Sequence, residues 1–100
     1  MVKHIILWQL KDEYSEEQKE TIKSEIKEGL EGLQGKIDGL LHIQVRIHGL
    51  KSSNADLMLD SSFENEEALK NYAVHPAHVA VADAKVRPFT RTRTCLDYEE

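Results

Sequence analysis

The chain has 100 residues, 40% of them hydrophobic, with 13 Lys and Arg against 18 Asp and Glu for a formal net charge of −5. A chain of this length buries only roughly 60–65% of its unfolded surface, so a single domain with a thin core is expected over residues 1–100. The acidic balance offers no broad positive field to phosphate backbones, and no apolar run approaches the roughly 20 residues of a membrane span, so neither nucleic acid nor membrane is an expected partner.

Val2 to Leu10 alternates, with Val2, His4, Ile6, Trp8 and Leu10 on one parity and Ile5 and Leu7 on the other, which predicts a strand with apolar groups on both faces. Ser15-Glu16-Glu17-Gln18 has capping-box spacing and marks a helix start. The buried stripe of that helix is Ile22, Ile26, Leu30 and Leu33. Gly29 and Gly32 each cost about 1 kcal/mol relative to Ala in a helix, pointing to fraying or close backbone packing, and Gly35 is the expected stop. Ile37 to Leu50 alternates again as a long strand, Ile43, Val45 and Ile47 opposing His42, Gln44, Arg46 and His48. Turn residues Gly49 to Asn54 then lead into Ala55 to Phe63, where Leu57, Leu59 and Phe63 share a parity, predicting a hairpin.

Asn65 is placed to cap a second helix, with Ala68, Leu69, Tyr72 and Ala73 inward, that ends before Pro76. Pro76 opens a short helix with Val79, Val81, Ala82 and Val86 as its apolar side, stopped at Arg87-Pro88. Phe89 to Tyr98 closes the chain as a strand, with Thr90, Thr92, Thr94, Leu96 and Tyr98 on one face and Arg91, Arg93, Cys95 and Asp97 on the other. This order is that of a ferredoxin-like α+β domain, a four-stranded antiparallel sheet with its helices on one face. The opposite face carries too many aliphatics to stay bare, and a second copy packed sheet to sheet is the expected cover, giving a homodimer.

Chemistry concentrates around Tyr72 and His75-Pro76-Ala77-His78, where a phenol and an imidazole can meet at one cavity mouth for proton transfer near neutral pH. The competing reading makes Tyr72 a core aromatic with its hydroxyl at the rim and His75 a helix cap. His4 shares the parity of Ile6 and Trp8, which brings it under the helices if that face is the inner one. His75 and His78 make a poor zinc pair, with no further ligands nearby in sequence. The Arg87, Arg91 and Arg93 row reads as solvated or salt-bridged. Cys95, the one cysteine, cannot form an internal disulfide, and no secretory leader precedes the first strand, so the cytoplasm is the expected compartment.

Lys3-His4-Ile5-Ile6-Leu7-Trp8-Gln9-Leu10-Lys11-Asp12, Asn71-Tyr72-Ala73-Val74-His75-Pro76-Ala77-His78-Val79 and the closing Cys95-Leu96-Asp97-Tyr98-Glu99 resemble the stress-responsive A/B barrel (Dabb) family, the dimeric α/β barrel domain. The likeness runs over essentially the whole chain. It implies a ferredoxin-like protomer whose sheet packs on that of a second copy to make an α/β barrel. The family mixes heat-stable plant stress proteins, bacterial proteins of unassigned role and the plant olivetolic acid cyclase, which closes a linear polyketide by a cofactor-free aldol condensation. The cyclase's working tyrosine and histidine match Tyr72 and His78, and a histidine of its pocket matches His4. The likeness departs at Leu57, where the cyclase has a pocket histidine, and at Ile22, Lys23 and Ile26, where it has aromatic residues.

The resemblance therefore implies a small apolar or aromatic ligand between sheet and helices, lined by His4, Ile6, Trp8, Leu57, Leu59 and His75, with no cofactor. The alternative it implies is a cofactor-free polyketide cyclase or lyase, with His78 as general base and Tyr72 holding or protonating a carbonyl oxygen. A non-catalytic stress or interaction protein with a closed cavity fits the same frame, whereas a cofactor-independent monooxygenase has no supporting residue. Some members hold a structural magnesium ion on backbone carbonyls at the end of the first helix, around Leu30 and Leu33 here.

Overall fold

The alternation at the start of the chain forms strand β1 (Val2–Leu10), whose even-numbered residues are all buried. In the computed structural model, which describes residues 1–100, there follow α1 (Glu16–Glu31), β2 (Leu40–Arg46), β3 (Leu57–Phe63), α2 (Glu66–Val74), α3 (Pro76–Val81), a π-helical turn at Ala82–Val86 and β4 (Thr90–Glu99). The sheet order is β2-β3-β1-β4 and every pairing is antiparallel. This is the expected ferredoxin-like arrangement. No helix is long and apolar enough to cross a membrane.

The local signals explain the helix starts. The Gln18 amide donates to Ser15 Oγ at 3.1 Å and the Ser15 amide to Gln18 Oε1 at 2.9 Å, closing the capping box, while Glu16 and Glu17 complement the helix dipole. Asn65 caps α2 by accepting from the Ala68 amide at 2.8 Å. The close-packing alternative holds for Gly29: a Cβ there would lie 3.0 Å from Val81 Cγ1, so α1 and α3 meet where a side chain is missing.

Boundaries in the first helix and the second strand differ from expectation, and the third strand starts at Leu57 rather than Ala55. The first helix stops at Glu31 with Gly32 as its cap, a turn before Gly35, although Leu33 remains buried beyond the helix end. The second strand begins at Leu40, not Ile37, because Gly35 and Gly39 both adopt φ +83° and turn the chain through Ile37. Gly39 has no alternative: a Cβ there would sit 2.4 Å from Ala68 Cβ on α2. The strand also ends at Arg46, well before Leu50. The short helix after Pro76 widens into the π turn, in which the Arg87 amide donates to Ala82 O at 2.8 Å.

One core lies between sheet and helices, built around Ile26, Val45, Leu59, Phe63 and Tyr72. The outer face of the sheet is uncovered and carries Ile5, Leu7, Met58, Leu96 and Tyr98 on neighbouring strands, with Ile5 opposite Leu96 and Leu7 opposite Met58. Leu7, Leu96 and Tyr98 are exposed.

Candidate functional site

The β1–β4 ladder pairs His4 with Asp97, Ile6 with Cys95 and Trp8 with Arg93, which brings the second row of β4 onto the helix side. Over this surface α2 lays Tyr72, and α3 returns His78 against it. Their rings stack with centroids 4.1 Å apart and planes tilted 33°. The Tyr72 ring also meets Phe63 at 4.9 Å and, edge-on, His4 at 6.1 Å. Three rings thus hold the phenol in place.

A cavity of about 120 Å³ adjoins this cluster, with Ile6, Trp8 and Leu59 from the sheet and Tyr72, His78 and Val86 from the helical layer in its wall. A larger groove of about 610 Å³ shares His4, Leu69, Ala73 and Arg93 with it. An engineered dry cavity of roughly 150 Å³ takes a benzene ring, so the inner space suits one ring or a short chain and anything longer extends into the groove.

Tyr72 is 1% exposed and its hydroxyl has no hydrogen-bond partner. Burial pushes its pKa well above the ordinary tyrosine range, against the opposing charge of Arg93, so it is a donor at any physiological pH. His78 is held below the ordinary histidine value, first by burial and then by the charges of Arg87, His4 and Arg93, against the pull of its bond to Ala73. It is therefore neutral near pH 7. Its Nδ1 donates to Ala73 O at 3.3 Å, and because a carbonyl only accepts, the proton resides on Nδ1 and the lone pair on Nε2. A protonated phenol without an acceptor and a neutral imidazole with a free lone pair border the same cavity. Together they match an oxygen-bearing ligand, a carbonyl accepting from Tyr72 or a hydroxyl donating to His78.

Of the residues named from sequence, His4, Ile6, Trp8, Leu59, Tyr72 and His78 border this cavity. Leu57 and His75 do not. Leu57 is buried in the core opposite Trp8, and His75 accepts the Ala77 amide on Nδ1 at 3.1 Å as the cap of α3. Ala73, expected inward, is exposed along the groove. The carbonyls of Leu30 and Leu33, where the resemblance implies magnesium, accept the amides of Leu33 and Lys36 at 3.1 and 3.0 Å in the turn that follows α1. Arg87 pairs with Asp83, and Arg91 with Asp12 at 3.5 Å, as a salt-bridged row should. Arg93 makes no ion pair and stands between cavity and groove. Sequence reasoning did not single out Arg93 or Asp97 as site residues. Their parity was legible, but their place beside Trp8 and His4 depends on a strand register 85 to 93 residues away in sequence.

A four-stranded antiparallel sheet with its helices on one face, and a histidine–tyrosine cavity between the layers, defines a ferredoxin-like α+β protein. The model of the stress-responsive A/B barrel domain matches residues 2–100, and the chain belongs to that family. A dimeric protein of unknown function from Bacteroides fragilis is 34% identical with a TM-score of 0.92, over 99% of this chain and 95% of that one. An Arabidopsis thaliana protein is 24% identical with a TM-score of 0.74, covering 100% and 95% of the two chains. A hydroxynitrile lyase from Passiflora edulis shares the fold at 17% identity and a TM-score of 0.71, over 97% and 90%. No curated protein sequence matches the chain.

Proposed function

We propose that this protein works as a homodimer, sheet packed on sheet, whose inner cavity binds a small apolar or aromatic molecule carrying one oxygen. The observation that supports this reading most is the Tyr72 hydroxyl, buried without a partner. A buried donor left unsatisfied costs about 1–3 kcal/mol, and a ligand oxygen removes that cost. The apolar walls supply the rest of the affinity. The dimeric Bacteroides fragilis relative supports the assembly, and the lone thiol of Cys95 suits a reducing compartment, so we place the protein in the cytoplasm. The test is a panel of phenols, cyclic ketones and short-chain ketones, read by ligand-detected NMR against wild type and Tyr72→Phe. Wild type binds members of the panel, and the variant loses about tenfold in affinity or more. Equal binding by both proteins, or none by wild type, overturns the reading.

A second reading rests on the Tyr72–His78 stack, whose donor and base are the parts of a cofactor-free lyase or polyketide cyclase. The Passiflora edulis enzyme lends it the fold and no more. Under this reading His78→Ala lowers turnover of β-polyketone thioesters by about 10²- to 10⁴-fold with binding retained. Absence of turnover by wild type across that panel leaves the binding reading alone.

A further inference from the structure

The helix-side face of the sheet carries a second cluster. His4 on β1 is buried, and Cys95 and Asp97 stand two residues apart on β4, so they share its face and flank the histidine. Cys95 Sγ lies 3.7 Å from His4 Nδ1 and 3.4 Å from Asp97 Oδ1, and the same imidazole nitrogen contacts the same carboxylate oxygen. One nitrogen, one sulfur and one oxygen thus fall within 4.8 Å of one another. We propose that His4, Cys95 and Asp97 form a binding site for a divalent transition metal ion, with zinc the best match.

The donor set argues for zinc. An imidazole with a thiolate is a poor site for magnesium or calcium, which favour oxygen alone, whereas zinc accepts all three donors. The spacing agrees. Ligand atoms around a tetrahedral zinc, at bond lengths of about 2.0–2.3 Å, stand about 3.3–3.7 Å apart, and both sulfur separations already meet this. Only the imidazole–carboxylate contact has to open, and Asp97 is an exposed side chain that can rotate to allow it. All three residues also line the 610 Å³ groove, so the fourth position faces that groove and is open to water or to a ligand oxygen. Three protein ligands with one open position is the pattern of a reactive rather than a structural zinc. Binding transfers the Cys95 thiol proton to solvent and leaves thiolate on the metal. Because His4 borders the inner cavity as well, the ion would stand where cavity and groove meet.

The site is independent of any organic ligand, and its test uses none. The untagged full chain, stripped with a chelator, is titrated with Co²⁺ and then displaced with Zn²⁺. The expected result is one ion per chain with a thiolate-to-cobalt charge-transfer band in the near ultraviolet. Cys95→Ser abolishes the band and weakens Zn²⁺ binding about tenfold or more, Asp97→Asn keeps the band with a similar loss of affinity, and His48→Ala changes neither. Both substituted ligands are exposed, so circular dichroism should show unchanged folding. Failure of wild type to bind cobalt stoichiometrically, or a spectrum and affinity that survive Cys95→Ser, overturns the proposal. Tyr72→Phe, which impairs the proposed cavity ligand, should leave the cobalt titration unaltered.

Discussion

Tyr72 carries opposed demands. Its ring closes the core against Phe63, while its hydroxyl lies in that core without a partner. Tyr72→Phe keeps the ring and removes the unsatisfied group, so the ligand-free protein is expected to gain about 1 kcal/mol, seen as a higher Tm, while losing ligand affinity. A lower Tm would mean that the hydroxyl is satisfied by water. His78 adds a pH dependence of known sign. Its folded pKa lies below its unfolded value, so the unfolded chain takes up the proton first, and stability falls as pH drops below about 6.5. Chemical denaturation of wild type against His78→Gln across pH 5–8 measures this, and the difference between the two curves should shrink toward acid. A constant difference would show that His78 does not titrate differently in the two states.

At the scale of elements, the β2 edge of the sheet is covered by side chains. On β2, Glu31 Oε2 accepts the Val45 amide at 2.9 Å and Lys27 donates to the Val45 carbonyl at 2.7 Å, while Gln34 serves Ile43 and Leu41. Side chains from α1 and its following turn thus take the place of a fifth strand, blunting an edge that would otherwise invite pairing. Burial raises the Glu31 pKa, but Lys27 and the Val45 amide outweigh it and leave the carboxyl below its ordinary value. Its contribution is therefore present at neutral pH and lost as pH falls through that lowered pKa. Glu31→Gln should flatten this acid limb of the stability curve, and an unchanged limb would show that the ion pair is inert. Gly39→Ala is the harsher change, for it combines φ +83° with a contact to Ala68 and is expected to cost at least about 2 kcal/mol by urea denaturation. These features mark what was legible in the sequence. Caps and alternation are local and read directly at Ser15, Asn65 and β1. The need for glycine at 39 comes from α2 packing across the chain, and the π turn at Ala82–Val86, in which Ala82 and Val86 are buried, follows no local sequence pattern.

The whole molecule has 22 buried residues of 100 and an outer sheet face where Leu7, Leu96 and Tyr98 are 40%, 63% and 42% exposed. The sequence carried this imbalance in the two apolar parities of β1, and it carried half of the site as well: Tyr72 and His78 lie close in the chain, whereas Arg93, Cys95 and Asp97 meet β1 only through the sheet. A thin core beside an uncovered aliphatic face leads to the last expectation, that association supplies part of the folding free energy. Ile5, Leu7 and Leu96 are neighbours across β1 and β4, so a charge at Leu7 must be desolvated at the centre of any sheet-to-sheet contact. Leu7→Arg should weaken the dimer by at least about 30-fold, the scale of a central hot spot, while an equivalent charge at the remote, exposed Leu50 should not. Light scattering on wild type should give twice the 11.4 kDa chain mass, and its Tm should rise with protein concentration, as it must when folding and association are linked. A folded wild-type monomer at tens of micromolar, with a Tm independent of concentration and a Leu7→Arg variant indistinguishable from it, would assign the outer face some other role.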